Sequence, residues 1–272
     1  MLKIAFDKIY KHPLDENHRF PMIKYDLIPE QLLRENTCNH ENFFIPSSLK
    51  DNNVLLTHDE DYYHRFSSLL LTKKEIRPIG FPMSEELVIR EKKIAQGTIE
   101  CVNFSIKNGI SMNIAGGTHH AFCGEGAGYC IFNDLAVCAE VALQQRNINR
   151  ILVLDLDVHQ GDGTAEIFAS DERVYTVSLH GENNFPFRKK RSDLDIGFPD
   201  GTKDEKYLDS LESSIRLLKI MEIEGDDFGS ATQKMQMYRR MEENKKNKPK
   251  DPAKGVRKIK LAQGGISALL GE

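Results

Sequence analysis

The spacing of apolar positions changes several times along the chain, and each change predicts an element. Residues 2–6 form a short apolar run that ends in polar residues, which predicts a strand. Residues 12–20 read as a loop, and residues 29–35 as a short helix with Pro29 at its start. A second apolar run, residues 54–56, precedes a charged and aromatic stretch, and Pro78 and Pro82 bracket a connector. Ser84 followed by Glu85 and Glu86 is a helix start. The helix is expected over residues 85–107, with Leu87, Ile94, Ile99, Val102 and Ile106 as its apolar stripe and Asn108-Gly109 as its end. Residues 110–115 predict a strand running into Gly116-Gly117, and Asn133-Asp134 opens a helix to about residue 145. Residues 151–156 are almost continuously apolar, as expected for a buried central strand of a parallel sheet. A short helix over 162–169, a strand over 173–179 and a helix over 204–224 follow. This strand–helix–strand order predicts a layered α/β fold.

Composition narrows the function classes only a little. At 272 residues, 40% apolar and 29% charged, the chain suits a globular protein with a substantial core. A formal charge of -4 provides no overall basic field for nucleic acid. No segment has the apolar length of a membrane span, and the N-terminal stretch lacks a secretory pattern, so a cytoplasmic location is expected. Cys38, Cys101, Cys123, Cys130 and Cys138 form an odd set without a CxxC pair. That argues against a disulfide scaffold and against a thiolate zinc site.

Three segments carry the candidate chemistry. They are residues 115–121 (Ala-Gly-Gly-Thr-His-His-Ala), 126–134 (Gly-Ala-Gly-Tyr-Cys-Ile-Phe-Asn-Asp) and 155–164 (Asp-Leu-Asp-Val-His-Gln-Gly-Asp-Gly-Thr). In the third, Asp155, Asp157 and His159 alternate where a strand ends, so an extended backbone would point all three the same way. Carboxylate oxygen and imidazole nitrogen are zinc ligands, and catalytic zinc keeps three protein ligands and an open position. The same pattern alone also fits magnesium or a polar strand end. His119 and His120 follow another strand end and suit proton transfer beside a metal-bound water, although adjacent histidines alone also occur in ordinary loops. Gly126 and Gly128 lack the spacing of a dinucleotide fingerprint.

Together the three segments resemble the histone deacetylase family, in the manner of its small bacterial and class IV-like members. Lys3-Ile4-Ala5-Phe6, His18-Arg19-Phe20-Pro21 and Asp193-Leu194-Asp195-Ile196-Gly197 extend the resemblance over residues 2–228. The resemblance implies an arginase/deacetylase-like three-layer α/β sandwich with a largely parallel sheet. It implies that Asp157 and His159 are two of three zinc ligands, and that His120 is the general base. His119 would be its electrostatic or acid neighbour, with Asp155 and Asp162 buttressing His119 and His120 respectively. Gly128, Tyr129 and Phe185 would line an acyl-lysine tunnel. Asp155, Asp157, His159, Ser178 and Leu179 would surround a monovalent cation such as K+. The implied reaction is zinc-dependent hydrolysis of the acetyl amide of N-acetyl-lysine in a protein, or of an acetylated polyamine or other small amine, releasing acetate.

After Gly225-Asp226-Asp227-Phe228 the resemblance stops. The family's third zinc ligand and its Gly-Gly-Tyr segment have no counterpart: Gly264-Gly265 precedes Ile266, and Tyr238 lies in a charged stretch. Asp226, Asp227 and Asp251 sit in no matching motif. The expected organisation is therefore an incomplete deacetylase-like domain over 1–228 and a divergent tail over 229–272. The tail is basic, with Lys245, Lys246, Lys248 and Lys250 prominent, and reads as a solvated segment without a base-reading motif. The alternative to an enzyme is a catalytically impaired acyl-lysine-binding or interaction module.

Overall fold

A computed structural model of the chain describes residues 1–224. The expectations for Asp226, Asp227, Tyr238, Asp251, Gly264-Gly265 and the basic tail lie outside the described residues. The strands are β1 (Lys3–Ala5), β2 (Phe43–Phe44), β3 (Ser111–Asn113), β4 (Ile151–Asp155), β5 (Val174–Gly181) and β6 (Leu194–Phe198). The helices are α1 (Lys24–Arg34), α2 (Asp51–Val54), α3 (Glu60–Ser67), α4 (Lys73–Ile79), α5 (Glu85–Asn108), α6 (Asp134–Leu143), α7 (Asp162–Ile167) and α8 (Asp204–Glu224). The chain divides into two units, Met1–Tyr207 and Leu208–Glu272, and the candidate site lies wholly in the first.

Among the described residues every strand pair is parallel, in two three-stranded sheets of order β2-β1-β3 and β4-β5-β6. Parallel pairing places the carboxyl ends of β3 and β4 so that both feed directly into the candidate loops, as in other α/β sites. The long α5 packs on β1 and β3 and against α6. It begins where the sequence predicts, because the Ser84 hydroxyl accepts the Leu87 N–H at 3.1 Å. It ends at Gly109, whose φ of 88° is a left-handed conformation that suits glycine. A large core of Tyr10, Tyr62, Phe66, Phe81, Phe132 and Ile94 lies on this side. A smaller cluster of Ala136, Ala139, Val153, Phe168 and Val174 joins α6 to β4 and β5.

Two local expectations are corrected. The first helix starts at Lys24 rather than at Pro29, which lies buried inside it. Three turn bonds, Lys24 N–H to Pro21, Tyr25 N–H to Met22 and Asp26 N–H to Ile23, carry the chain into the helix before proline is reached. The second concerns β4. Its apolar run predicts a fully buried strand, yet Leu152 is 47% exposed and Val153 is the buried member. Among the described residues β4 pairs only with β5, so one edge and one face lack cover. At the stripe of α5, Leu87, Ile94 and Ile99 are buried while Ile106 is 50% exposed.

Candidate active site

The loop after β3 turns sharply through Gly116 and Gly117, and a single carboxylate anchors it. Asp134, 1% exposed at the start of α6, accepts the N–H groups of Gly117 and Thr118 and the hydroxyls of Thr118 and Thr98. A buried carboxylate is stable only when so many donors replace its lost water. The same helix start holds the far end of the loop. Asn133 caps α6 through the Ala136 N–H, and its side-chain amide donates to the Ala121 carbonyl and the Thr164 hydroxyl. The Asn133 N–H in turn donates to His58 Nε2 at 2.9 Å, and His58 Nδ1 lies 3.2 Å from the Cys123 carbonyl. Burial, only partly opposed by backbone hydrogen bonds, pushes the His58 pKa down to about 4, so its ring is neutral at pH 7.

Held between these anchors, His119 and His120 are both buried, with ring centroids 4.1 Å apart. His119 Nδ1 is 2.6 Å from Asp155 Oδ2, and His120 Nδ1 is 2.6 Å from Asp162 Oδ1. These contacts pair the loop after β3 with the end of β4 and the start of α7. They also fix which nitrogen of each ring faces away from its carboxylate, namely Nε2. Burial works against protonation of His119, but the Asp155 hydrogen bond and the charges of Asp155, Asp157 and Asp162 outweigh it and raise its pKa.

Asp155, Asp157 and His159 do not all point to one spot, a correction to the alternation read from the sequence. β4 ends at Asp155, and the following residues form tight turns: Asp157 N–H donates to Asp155 Oδ1, and His159 N–H donates to Asp157 Oδ1. Asp155 is therefore spent on His119. Asp157 and His159 instead face each other, with Oδ1 and Nδ1 2.9 Å apart. Burial opposes ionisation of Asp157, yet the His159 N–H and the nearby imidazoles hold its pKa below the ordinary carboxylate value.

These two donor atoms suit an ion that takes carboxylate and imidazole ligands. No group of three His, Cys, Asp or Glu side chains placed to hold a metal occurs among the described residues. The described residues thus offer two converging ligands here and not a closed site. Ser178 lies directly across from Asp155 in the β4–β5 register, followed by Leu179. Its hydroxyl lies 2.9 Å from His180 Nδ1.

A cavity of about 560 Å³ opens over these groups. Gly128, Tyr129, Phe185, His119, His120 and the Asp157–His159 pair all line it. Gly128 and Tyr129 both have left-handed backbones, with φ of 54° and 67°. A Cβ on Gly128 would lie 2.7 Å from His120 Cδ2, so only glycine leaves the ring its place. The Tyr129 ring packs at a tilt against Phe20 and Phe81, with centroids 5.0 and 5.2 Å away. Phe185 stands edge-on to His120 at 4.9 Å. Gln160, 1% exposed, secures the Phe185 loop: its amide donates to the Lys190 carbonyl and Asp195, and its oxygen accepts the Lys190 N–H.

Sequence reasoning missed His58, Asp134 and Gln160 as supports of the site. Asp134 and Gln160 lie inside segments already singled out, but read only as a helix start and as a spacer. Nothing near His58 in sequence marks it.

The Histone deacetylase domain profile matches residues 18–222. An uncharacterized protein from Picosynechococcus sp. is 44% identical over 209 residues, covering 76% of this chain and 69% of its own. Histone deacetylase 2 of Arabidopsis thaliana is 25% identical over 213 residues, covering 75% of this chain and 55% of its own. Acetoin utilization protein AcuC of Staphylococcus aureus is 29% identical over 192 residues, covering 66% and 49% respectively. The chain therefore spans about half the length of the last two relatives. Among solved structures, an HDAC homolog from Aquifex aeolicus is similar with a TM-score of 0.69 at 25% identity, over 80% of this chain and 64% of that one.

Proposed function

Because this chain belongs to the histone deacetylase domain family, we propose that its cavity receives an acyl-lysine side chain and that the site hydrolyses the acetyl amide. The observation that carries this reading is the pair of adjacent histidines, each on its own carboxylate, beside the facing Asp157 and His159. Asp157 and His159 would hold a zinc ion, which when bound polarises an amide carbonyl and acidifies water. His120, with Nδ1 committed to Asp162, takes the water proton at Nε2. His119, whose protonated form Asp155 favours, supplies positive charge and a proton for the departing amine. Tyr129 and Phe185 form apolar walls for the lysine methylenes, and Gly128 leaves room beside His120. Asp155, Asp157, His159, Ser178 and Leu179 are the proposed surroundings of a K+ ion. A protein acyl-lysine or an acetylated small amine in the cytoplasm would be the substrate.

A second reading rests on one observation: the described residues supply two converging metal donors and no group of three. On that reading the chain binds acyl-lysine without turning it over. Hydrolysis of an acetyl-lysine peptide by the purified chain separates the two, run with zinc titration, a chelator and His120→Ala. Zinc-dependent turnover lost in the variant supports hydrolysis. Acetyl-dependent peptide binding without turnover supports the binding module.

A further inference from the structure

The rim of the cavity differs in charge from the chain as a whole. The chain carries -4 overall, yet Arg19, Lys24 and Arg90 line the cavity and Asp157 is the one carboxylate among its lining residues. Arg90 is buried against Glu91 and so is neutralised locally. Lys24 is half-buried and lies over the rings of Phe20 and Tyr25, at 4.6 and 5.1 Å. Burial and the Arg90 charge lower its pKa. Arg19 is exposed.

The Phe185 loop adds to this charge. It continues as Pro186-Phe187-Arg188-Lys189-Lys190-Arg191. Two of its four cations have local work: Lys189 Nζ donates to the Asn184 and Pro186 carbonyls, and Lys190 pairs with Glu166. With Gln160 gripping Lys190 and Asp195 Oδ2 accepting the Ser192 N–H, the loop is fixed at several points. Arg188 and Arg191 are exposed, and neither has a carboxylate partner among the described residues. Phe187 is 88% exposed and its ring lies 6.5 Å from Phe185, which itself lies against His120. The same fixed loop, which lines the cavity at Phe185, thus carries a bare aromatic ring at Phe187 and two exposed guanidinium groups, Arg188 and Arg191, without a carboxylate partner among the described residues.

Resting on the acyl-lysine reading of the cavity, we propose that this rim selects protein segments in which acidic residues flank the acylated lysine, and disfavours lysine- and arginine-rich tails. Unpaired guanidinium groups on a preorganised loop attract carboxylates and repel cations without first ordering a flexible side-chain carrier. Phe187 offers apolar surface to the segment's backbone and methylenes.

The test is fluorescence anisotropy of the full chain with zinc and three labelled peptides of equal length. One has acetyl-lysine flanked by Asp and Glu, one has acetyl-lysine flanked by Lys and Arg, and one is the acidic peptide without the acetyl group. The acidic acetylated peptide should bind roughly three- to tenfold tighter than the basic one. Raising ionic strength from about 0.05 to 0.5 M should shrink the gap. The exposed double variant Arg188→Glu/Arg191→Glu should reverse the preference. Equal affinity for both acetylated peptides, unchanged by the variant, overturns the rim proposal and leaves the acyl-lysine reading standing. Acidic peptides that bind equally with and without acetyl, but respond to the variant, uphold the rim and remove the acyl-lysine reading. A single-stranded RNA that competes as well as the acidic peptide makes the rim a general polyanion surface and overturns the proposal. No binding by any peptide removes both.

Discussion

At the scale of single residues, the site depends on groups whose charge state or size is fixed by their neighbours. On the proposed hydrolysis, His120→Ala removes the ring that Asp162 orients, and turnover of an acetyl-lysine peptide should fall by about 10² or more. Gly128→Ala would press a methyl group into His120 at a left-handed backbone position. On the acyl-lysine reading it should weaken acetyl-lysine peptide binding severalfold, which anisotropy titration checks. Asp134→Ala would strand the Gly117, Thr118 and Thr98 donors in a buried place. The expected cost is about 2–4 kcal/mol, read as a shift in the urea unfolding midpoint. These residue identities were legible to different degrees. His119, His120, Asp157 and His159 stand in compact motifs, so their types and spacing advertise chemistry. His58 reaches the same site across 75 positions to bond the Asn133 N–H, and local pattern carries no trace of such a contact.

At the scale of elements, hydrophobic period and capping explain most of what the sequence predicts. α5 is the clearest case, since Ser84 and Gly109 close both ends of one apolar stripe. β4 shows the limit of that logic. Continuous apolar character predicts a strand covered on both faces, but it cannot say which neighbour supplies the cover. In the described residues Leu152 stays exposed, whereas Val153 packs with Ala136, Ala139, Phe168 and Val174. Leu152→Thr should therefore cost less than about 1 kcal/mol, and Val153→Ala about 1–3 kcal/mol, in parallel urea titrations. The alternation of Asp155, Asp157 and His159 failed for a related reason. Period two holds only while the backbone stays extended, and side-chain-to-backbone bonds from 155 to 157 and 157 to 159 end the strand early.

For the molecule as a whole, acid should unfold this protein partly through His58. Its folded pKa lies near 4 against an ordinary 6.5, because burial disfavours the charged ring. Below pH 6.5 the unfolded chain gains a proton that the folded His58 refuses, so this contribution is complete above that pH and drains away as pH falls toward 4. Melting temperature measured across this window should drop less steeply for His58→Gln than for the parent chain. His12 and His180, also held below the usual value first by burial, deepen the same acid limb. No helix among the described residues is long and apolar enough to cross a membrane. The many donors converging on Asp134 carry one more consequence. A designer who transplanted the Gly-Gly-Thr-His-His loop into a foreign scaffold would lift the chemistry but leave behind its clamp. The portable unit is that loop together with the first turn of α6 and the threonine of α5, three stretches that only the folded chain makes neighbours.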